Sequence, residues 1–208
     1  MGEKVMTVLF EVPRWIRLLG VVLYVMVFFT PWNAPAQSNP VNLERLVRDA
    51  GVIFSGTVIR VETGEKDPGM NLFTTYYTFA VENALYGVKT DTITIKQYGG
   101  EAGGRSYYPP GVPRFEVGET VVAFFYPPSK IGMTSAVSKG QGKFVVGPAD
   151  TTGLRLVENE THNRNLFRRI RNGDLIVRPE WLEADSETPV DYVSFVATVR
   201  NLVGILKK

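Results

Sequence analysis

Three carboxylates, Glu101, Glu116 and Glu119, fall in and beyond a loop that begins Gly99-Gly-Glu-Ala-Gly-Gly-Arg-Ser-Tyr-Tyr108. Two carboxyl groups set across a cleft suffice for glycoside hydrolysis, one protonating the leaving oxygen while the other activates water or attacks the sugar. Glu101 with Glu116 or Glu119 is therefore a candidate acid–base pair, although Glu119 also fits a purely structural role in the turn before a strand. Other chemistries find little material. The chain has no cysteine, which removes thiol nucleophiles, thiolate metal sites and haem attachment. Its one histidine, His162, leaves paired-imidazole metal sites and Ser-His-Asp relays almost nothing to draw on, and it reads as an exposed loop residue. No cofactor and no metal centre are expected.

The loop itself is the leading candidate for binding. Gly99 and Gly100 let a backbone approach a ligand, while Arg105, Tyr107 and Tyr108 offer charge and stacking area. The competing reading is a plain connection between strands. No phosphate fingerprint is present, because Gly99-Gly100 lacks a following Gly-Lys-Ser/Thr and opens no helix. Tyr76, Tyr77, Phe79, Phe124, Phe125 and Tyr126 could form a platform for sugars or single strands. At strand spacing they are assigned instead to core on one face and ordinary exposed tyrosine on the other. Asn159-Glu-Thr161 matches a glycosylation acceptor, one that a bacterial secretory context leaves unused.

The elements that must position these residues are mostly strands. Asn42 caps a short helix with Leu43, Leu46, Val47 and Ala50 on one face, ended by Gly51 in a left-handed turn. Val52 to Thr63 reads as a strand with a bulge at Gly56, and 65–69 as a turn. Leu72 to Leu85 alternates with period two, Tyr86-Gly87 closes it, and Thr90 to Gln97 completes a hairpin. After the Gly99 to Pro113 loop, the turn Phe115-Glu-Val-Gly-Glu119 launches Thr120 to Tyr126, a continuously apolar strand expected in the core. Ala136 to Ser138 and Gly142 to Val146 give short strands, and Leu154 to Glu158 an edge.

Asn163 to Arg171 reads as a helix whose Arg164, Arg168, Arg169 and Arg171 form a solvated face, flanked by acids. Residues 174–177 read as extended and 179–187 as loop. Thr188-Pro-Val-Asp191 resembles a capping box for a last helix, whose Tyr192, Phe195, Val196, Val199, Leu202, Val203 and Leu206 recur at helical spacing.

The start of the chain carries an address. Lys4, Arg14 and Arg17 form a basic region, Leu18 to Phe29 an apolar run, and Ala34-Pro35-Ala36 a cleavage site for a signal peptidase. The rival, a retained anchor, meets a run of only 12 residues where a spanning helix takes about 20. Residues 1–36 are therefore read as a cleavable signal peptide and 37–208 as a single domain, exported to the periplasm or beyond, with no stable membrane span after cleavage. From Gln37 onward there are 20 Lys and Arg against 19 Asp and Glu. Near-neutrality argues against nucleic-acid binding, which draws on a concentrated basic surface.

Several blocks together resemble a group of exported bacterial proteins: Leu46-Val-Arg-Asp-Ala-Gly-Val-Ile-Phe-Ser-Gly-Thr-Val58, Thr75-Tyr-Tyr-Thr-Phe-Ala-Val-Glu82, Leu85-Tyr-Gly87, Gly99-Gly100, Pro113-Arg-Phe-Glu-Val-Gly-Glu119, Gln141-Gly-Lys-Phe144 and the helix 191–200. The resemblance implies an OB-like barrel similar to those of tissue inhibitors of metalloproteinases and netrin-like modules. Those inhibitors chelate zinc through an N-terminal cysteine, so the resemblance transfers the fold and not the mechanism.

The expected fold is mainly β: a small antiparallel OB-like barrel over about 43–158, a short N-terminal helix, and a C-terminal extension with an amphipathic helix over 159–208. A two-sheet sandwich is the alternative. The expected activity is non-catalytic capture of a protein, a protease among the possibilities, or of an envelope component. A carboxylate-pair hydrolase and a structural envelope module stand as competing classes.

Overall fold

The computed structural model describes residues 40–64, 72–168, 170 and 190–208. The expected signal segment, the turn at 65–69 and the stretches 174–177 and 179–187 lie outside the described residues. Helix α1 (Leu43–Asp49) precedes strands β1 (Val52–Gly64), β2 (Thr74–Tyr86) and β3 (Thr92–Tyr98). Two short strands, β4 (Gly100–Ala102) and β5 (Arg105–Tyr107), come next, then β6 (Thr120–Phe125), a 3-10 turn (Lys139–Gly142), β7 (Lys143–Val146), β8 (Leu156–Asn159), β9 (Val190–Asp191) and helix α2 (Tyr192–Leu206). Seven strands make one antiparallel sheet in the order β3-β2-β1-β6-β7-β8-β9, and β4 pairs only with β5.

The mainly β class is as expected, with a short helix at one end and a longer one at the other. A continuous ladder does not close the sheet into a barrel among the described residues. The β3 edge reaches back toward β6 through isolated bridges, Lys96 beside Met133 in parallel and Phe125 beside Ala136 antiparallel. Pro127 and Pro128, just past Tyr126, have no N–H to donate, so the pairing with the return segment ends at Tyr126, whose N–H donates to Ser135 O. The strand expected at Ala136 to Ser138 is accordingly reduced to one bridge.

The continuous apolar run of β6 has a simple cause. Val121, Ala123 and Phe125 enter one core, while Val122 and Phe124 enter another on the opposite face. The first core holds Phe54, Phe79, Phe115 and Phe125, with Phe54 and Phe79 edge to face at 5.0 Å and Phe79 and Phe115 likewise at 5.3 Å. The second lies beneath the helices, where Phe144 and Phe195 meet at 4.7 Å and Phe124 lies 5.6 Å from Phe144. Both faces of one strand are thus removed from water, which erases the alternation a half-exposed strand would show.

Strand β1 can bend between these cores because of Gly56. A side chain there would come within 2.3 Å of the Ala80 carbonyl oxygen, and the β1–β2 register slips between Ser55 and Gly56 as a bulge requires. Gly51 differs from expectation: it is not left-handed, and a side chain on it would strike the Pro127 backbone at 2.6 Å. Its size, not its backbone freedom, is what the site requires.

Helix α2 is tied to the sheet by a polar cluster as well as by Phe195, Val199 and Leu202. Tyr192 OH lies 2.8 Å from the buried Ser55 Oγ and donates to Glu82 at 3.0 Å, while Asn83 Nδ2 donates to both hydroxyl oxygens. The helix starts one turn later than the Thr188 reading, since Val190 and Asp191 pair with β8 and Asp191 itself caps Ser194 N at 2.8 Å. β8 is consequently an interior strand and not the expected edge.

The helix expected from Asn163 is also absent. Residues 161–168 form a run of turns in which His162, Asn163 and Asn165 adopt positive φ. Two asparagines outcompete the helix: Asn159 Oδ1 accepts from the N–H groups of Thr161 and Asn163, and Asn163 Oδ1 accepts from Asn159 N. Asn159 is buried and fully bonded, so its glycosylation motif is not presented to solvent. Leu166, Phe167 and Ile170 from this stretch join the second core, while Arg164 and Arg168 point outward from turns.

Replacing Phe124, which is fully buried, with alanine is expected to cost about 3–5 kcal/mol in a denaturant titration. Tyr126→Ala, two residues on at a 37% exposed position, should cost far less.

Candidate functional site

Beyond β6 the sheet face that encloses the first core loses its cover. Val145 stands opposite Val121 across β6–β7, so it shares that inward-pointing face, yet it is 41% exposed. Leu156 on β8 is 42% exposed, and Glu158 stands directly across from Val145. These residues floor a groove of about 630 Å³ whose walls include Arg114, Lys143 and Glu160.

The block Pro113 to Glu119 builds one wall. Phe115 turns inward, 3% exposed, and meets Tyr77 and Phe79 edge to face. That anchor sends the neighbouring Arg114 outward, where its guanidinium lies 3.6 Å from the Tyr108 ring centroid, a cation–π distance. Glu119 Oε1 pairs with Lys143 Nζ at 2.6 Å, and the same ammonium donates to the Arg114 carbonyl at 2.6 Å. Glu119 Oε2 accepts from Glu116 N at 3.2 Å, closing the turn. The structural role of Glu119 is therefore realised.

The Gly99 to Pro113 segment contains a hairpin, not an irregular connection. Gly103 and Gly104 link β4 to β5 with φ of +57° and +72°, the positive pair that a tight two-residue hairpin needs. Gly99 and Gly100 are buried. A side chain on Gly100 would come within 2.9 Å of the Thr74 carbonyl oxygen, and Thr75 Oγ1 donates to Gly99 O at 2.8 Å. These two glycines root the hairpin against β2. At that root Thr74 Oγ1 and Gln97 Oε1 are buried without a hydrogen-bond partner among the described residues, a rare and costly state.

Arg105, Tyr107 and Tyr108 are all on the hairpin but do not converge. Arg105 lies beside the turn, where with Glu101 and Ser106 it lines a shallow hollow of about 360 Å³. Tyr107, 45% exposed, tilts against Tyr98 at 5.5 Å. Tyr108 turns the other way, donating to Glu101 Oε1 at 3.3 Å and receiving Arg114 on its face. Burial, with the Glu101 charge adding to it, raises the Tyr108 hydroxyl above its ordinary range against the opposing Arg114. The structure thus joins Glu101, Tyr108, Arg114, Lys143 and Glu119 in one string of contacts running from hairpin to groove. Glu101 and Glu119 each hold a different partner within it, and neither pairs with the other.

Among the aromatics, Tyr77, Phe79, Phe124 and Phe125 are core, as expected, with Tyr76 half-buried outside. His162 is exposed, its Nδ1 2.8 Å from Glu158 Oε1 at the groove. Sequence reasoning missed the groove carboxylates Glu158 and Glu160. Glu158 ends the exposed face of β8 and Glu160 opens the turn after it, so no single period marks the pair.

Glu160 is the unusual member. It is exposed as a residue, but its carboxylate rests against the backbone of Gly140, in space a side chain there would occupy. Burial of that end raises its pKa, and the attraction of Lys139 offsets this only in part.

No protein-family model, curated protein or solved structure gives a significant match to this chain.

A carboxyl whose pKa is raised by folding binds its proton more tightly in the native state, so stability falls as pH rises through that range. Glu160→Gln removes this penalty. The variant should melt at or above the parent at pH 7, with the difference shrinking as pH is lowered through the carboxylate range; a neutral-pH loss confined to the variant would contradict the assignment.

Proposed function

We propose that this protein is an exported, non-catalytic binding module that captures a protein partner on the face formed by the β7–β8 groove and the β4–β5 hairpin. The observation that carries this reading is the uncovered continuation of a core-forming sheet face, with Val145 and Leu156 open to solvent between charged walls. Apolar floor with a polar rim is the anatomy of a protein-binding patch. Supporting a binding role over hydrolysis, two of the three carboxylates first considered for catalysis are engaged in holding the wall and hairpin, Glu119 by Lys143 and Glu101 by Tyr108, while Glu116 is exposed on the turn.

Export is part of the proposal. It is supported by the basic start, the 12-residue apolar run and Ala34-Pro35-Ala36. Among the described residues no helix is long and apolar enough to cross a membrane. The resemblance to exported proteins with an OB-like barrel supports the same reading, and an inhibitor of proteases remains within it. Any such inhibitor would act without the zinc-binding cysteine, since the chain has none.

Site-specific photo-crosslinking tests this directly. The full chain is expressed in a secreting bacterium with a photoreactive residue at Val145, Leu156, Tyr107 or, as control, Val193, which is 70% exposed on α2. Irradiation of the exported fraction should yield one discrete protein adduct from 145, 156 and 107 and none from 193, on a chain beginning near Gln37. Equal labelling at all four positions, or adducts from 193 alone, would overturn the reading.

A further inference from the structure

We infer that the groove's occupant is an extended peptide segment that lays an apolar side chain on Val145 and Leu156 and directs a neighbouring lysine or arginine to Glu158 and Glu160. This rests on the groove being the capture site. It goes further by assigning the chemistry of what is captured.

The charges around the groove are unequally engaged. Lys143 already meets Glu119, the Arg114 carbonyl and the face of Phe115, at 4.8 Å from the ring, so its charge is largely committed within the wall. Arg114 is flattened on Tyr108. The carboxylates are less well served. Among the described residues the Glu158 carboxylate has one side-chain partner, the exposed His162 imidazole at 2.8 Å. Glu160 has no hydrogen-bond donor among the described residues and lies partly desolvated against Gly140, with Lys139 as its only electrostatic partner.

Both acids line the groove, Glu158 from β8 and Glu160 from the turn after it, and so present their charges to the same occupant. A carboxylate short of donors is satisfied by an N–H-rich cation, and guanidinium or ammonium supplies charge-assisted bonds. The apolar floor beside it selects an aliphatic neighbour. Approach of the cation also favours the ionised form of Glu160, so binding and ionisation reinforce each other. Among the described residues Lys139 from the 3-10 turn is the cation that acts on Glu160, while Lys143 from β7, Arg114 from the wall and Glu158 from β8 line the same groove.

The test is selection from a randomised octapeptide library on the purified chain as recovered from the expressing cell, with folding of each variant checked by thermal melting. The parent should enrich peptides with Lys or Arg next to Leu, Ile or Val, and this enrichment should fall about tenfold in Glu160→Gln, the loss of one charge-assisted contact. Glu160→Lys should reverse the preference toward Asp and Glu. Enrichment of acidic peptides by the parent, an unchanged profile in Glu160→Gln, or no enrichment at all would overturn the inference. Photo-adducts at Val145 and Leu156 that persist in Glu160→Gln and Glu160→Lys would defeat the charge assignment while leaving the groove as the capture site. Loss of adducts from those positions in the parent would defeat both.

Discussion

Double burial of β6 is the constraint on which the molecule depends. Its six residues place Val121, Ala123 and Phe125 in one core and Val122 and Phe124 in the other, so neither core can be repacked without moving the other. A strand covered on both faces contributes apolar burial along its whole length and not at alternate positions. With no disulfide to restrict the unfolded chain, the stability of this unit comes from such burial and from backbone pairing. The β1 bulge at Gly56, the plug Phe115 and the cap of α2 on the sheet all serve the same end, which is to bring aromatic rings against one strand from two sides.

The proposed capture surface follows from where that arrangement stops. The sheet continues through β7 and β8, keeping its second-core face under the helices through Phe144 and Val157, but on its first-core face Val145 and Leu156 are exposed. A face built in register with a core, and then left open, is necessarily apolar at its floor. The Pro113 to Glu119 block makes this opening specific. One residue of it seals the first core, the next reaches Tyr108 on the hairpin, and the last holds Lys143, so the walls of the groove are positioned by the same packing that stabilises the fold.

Much of the architecture was legible because it is local. Period-two alternation located β2 and β3, an unbroken apolar run located β6, and an interior glycine located the bulge. The differences have local physical causes. The basic stretch after Asn163 has helix-compatible composition, yet the reciprocal bonds of Asn159 and Asn163 hold it in turns. Gly99 and Gly100 are buried, Gly100 against the β2 backbone and Gly99 against the segment that follows β5. The hairpin between β4 and β5 escaped because its strands are three residues each, too short to show a period. Lys143 gave no signal, since its partners Glu119 and the Arg114 carbonyl lie 24 and 29 residues earlier in the chain.

The most direct test of the account is native-state amide hydrogen exchange across the sheet. If β6 joins the two cores into one cooperative unit, the amides of Val121 to Phe125 exchange only by global unfolding, with the same free energy as those of Ile53 and Phe54 in β1. Exchange of the β6 amides through an opening of clearly lower free energy, with β1 and β2 still protected, would contradict it.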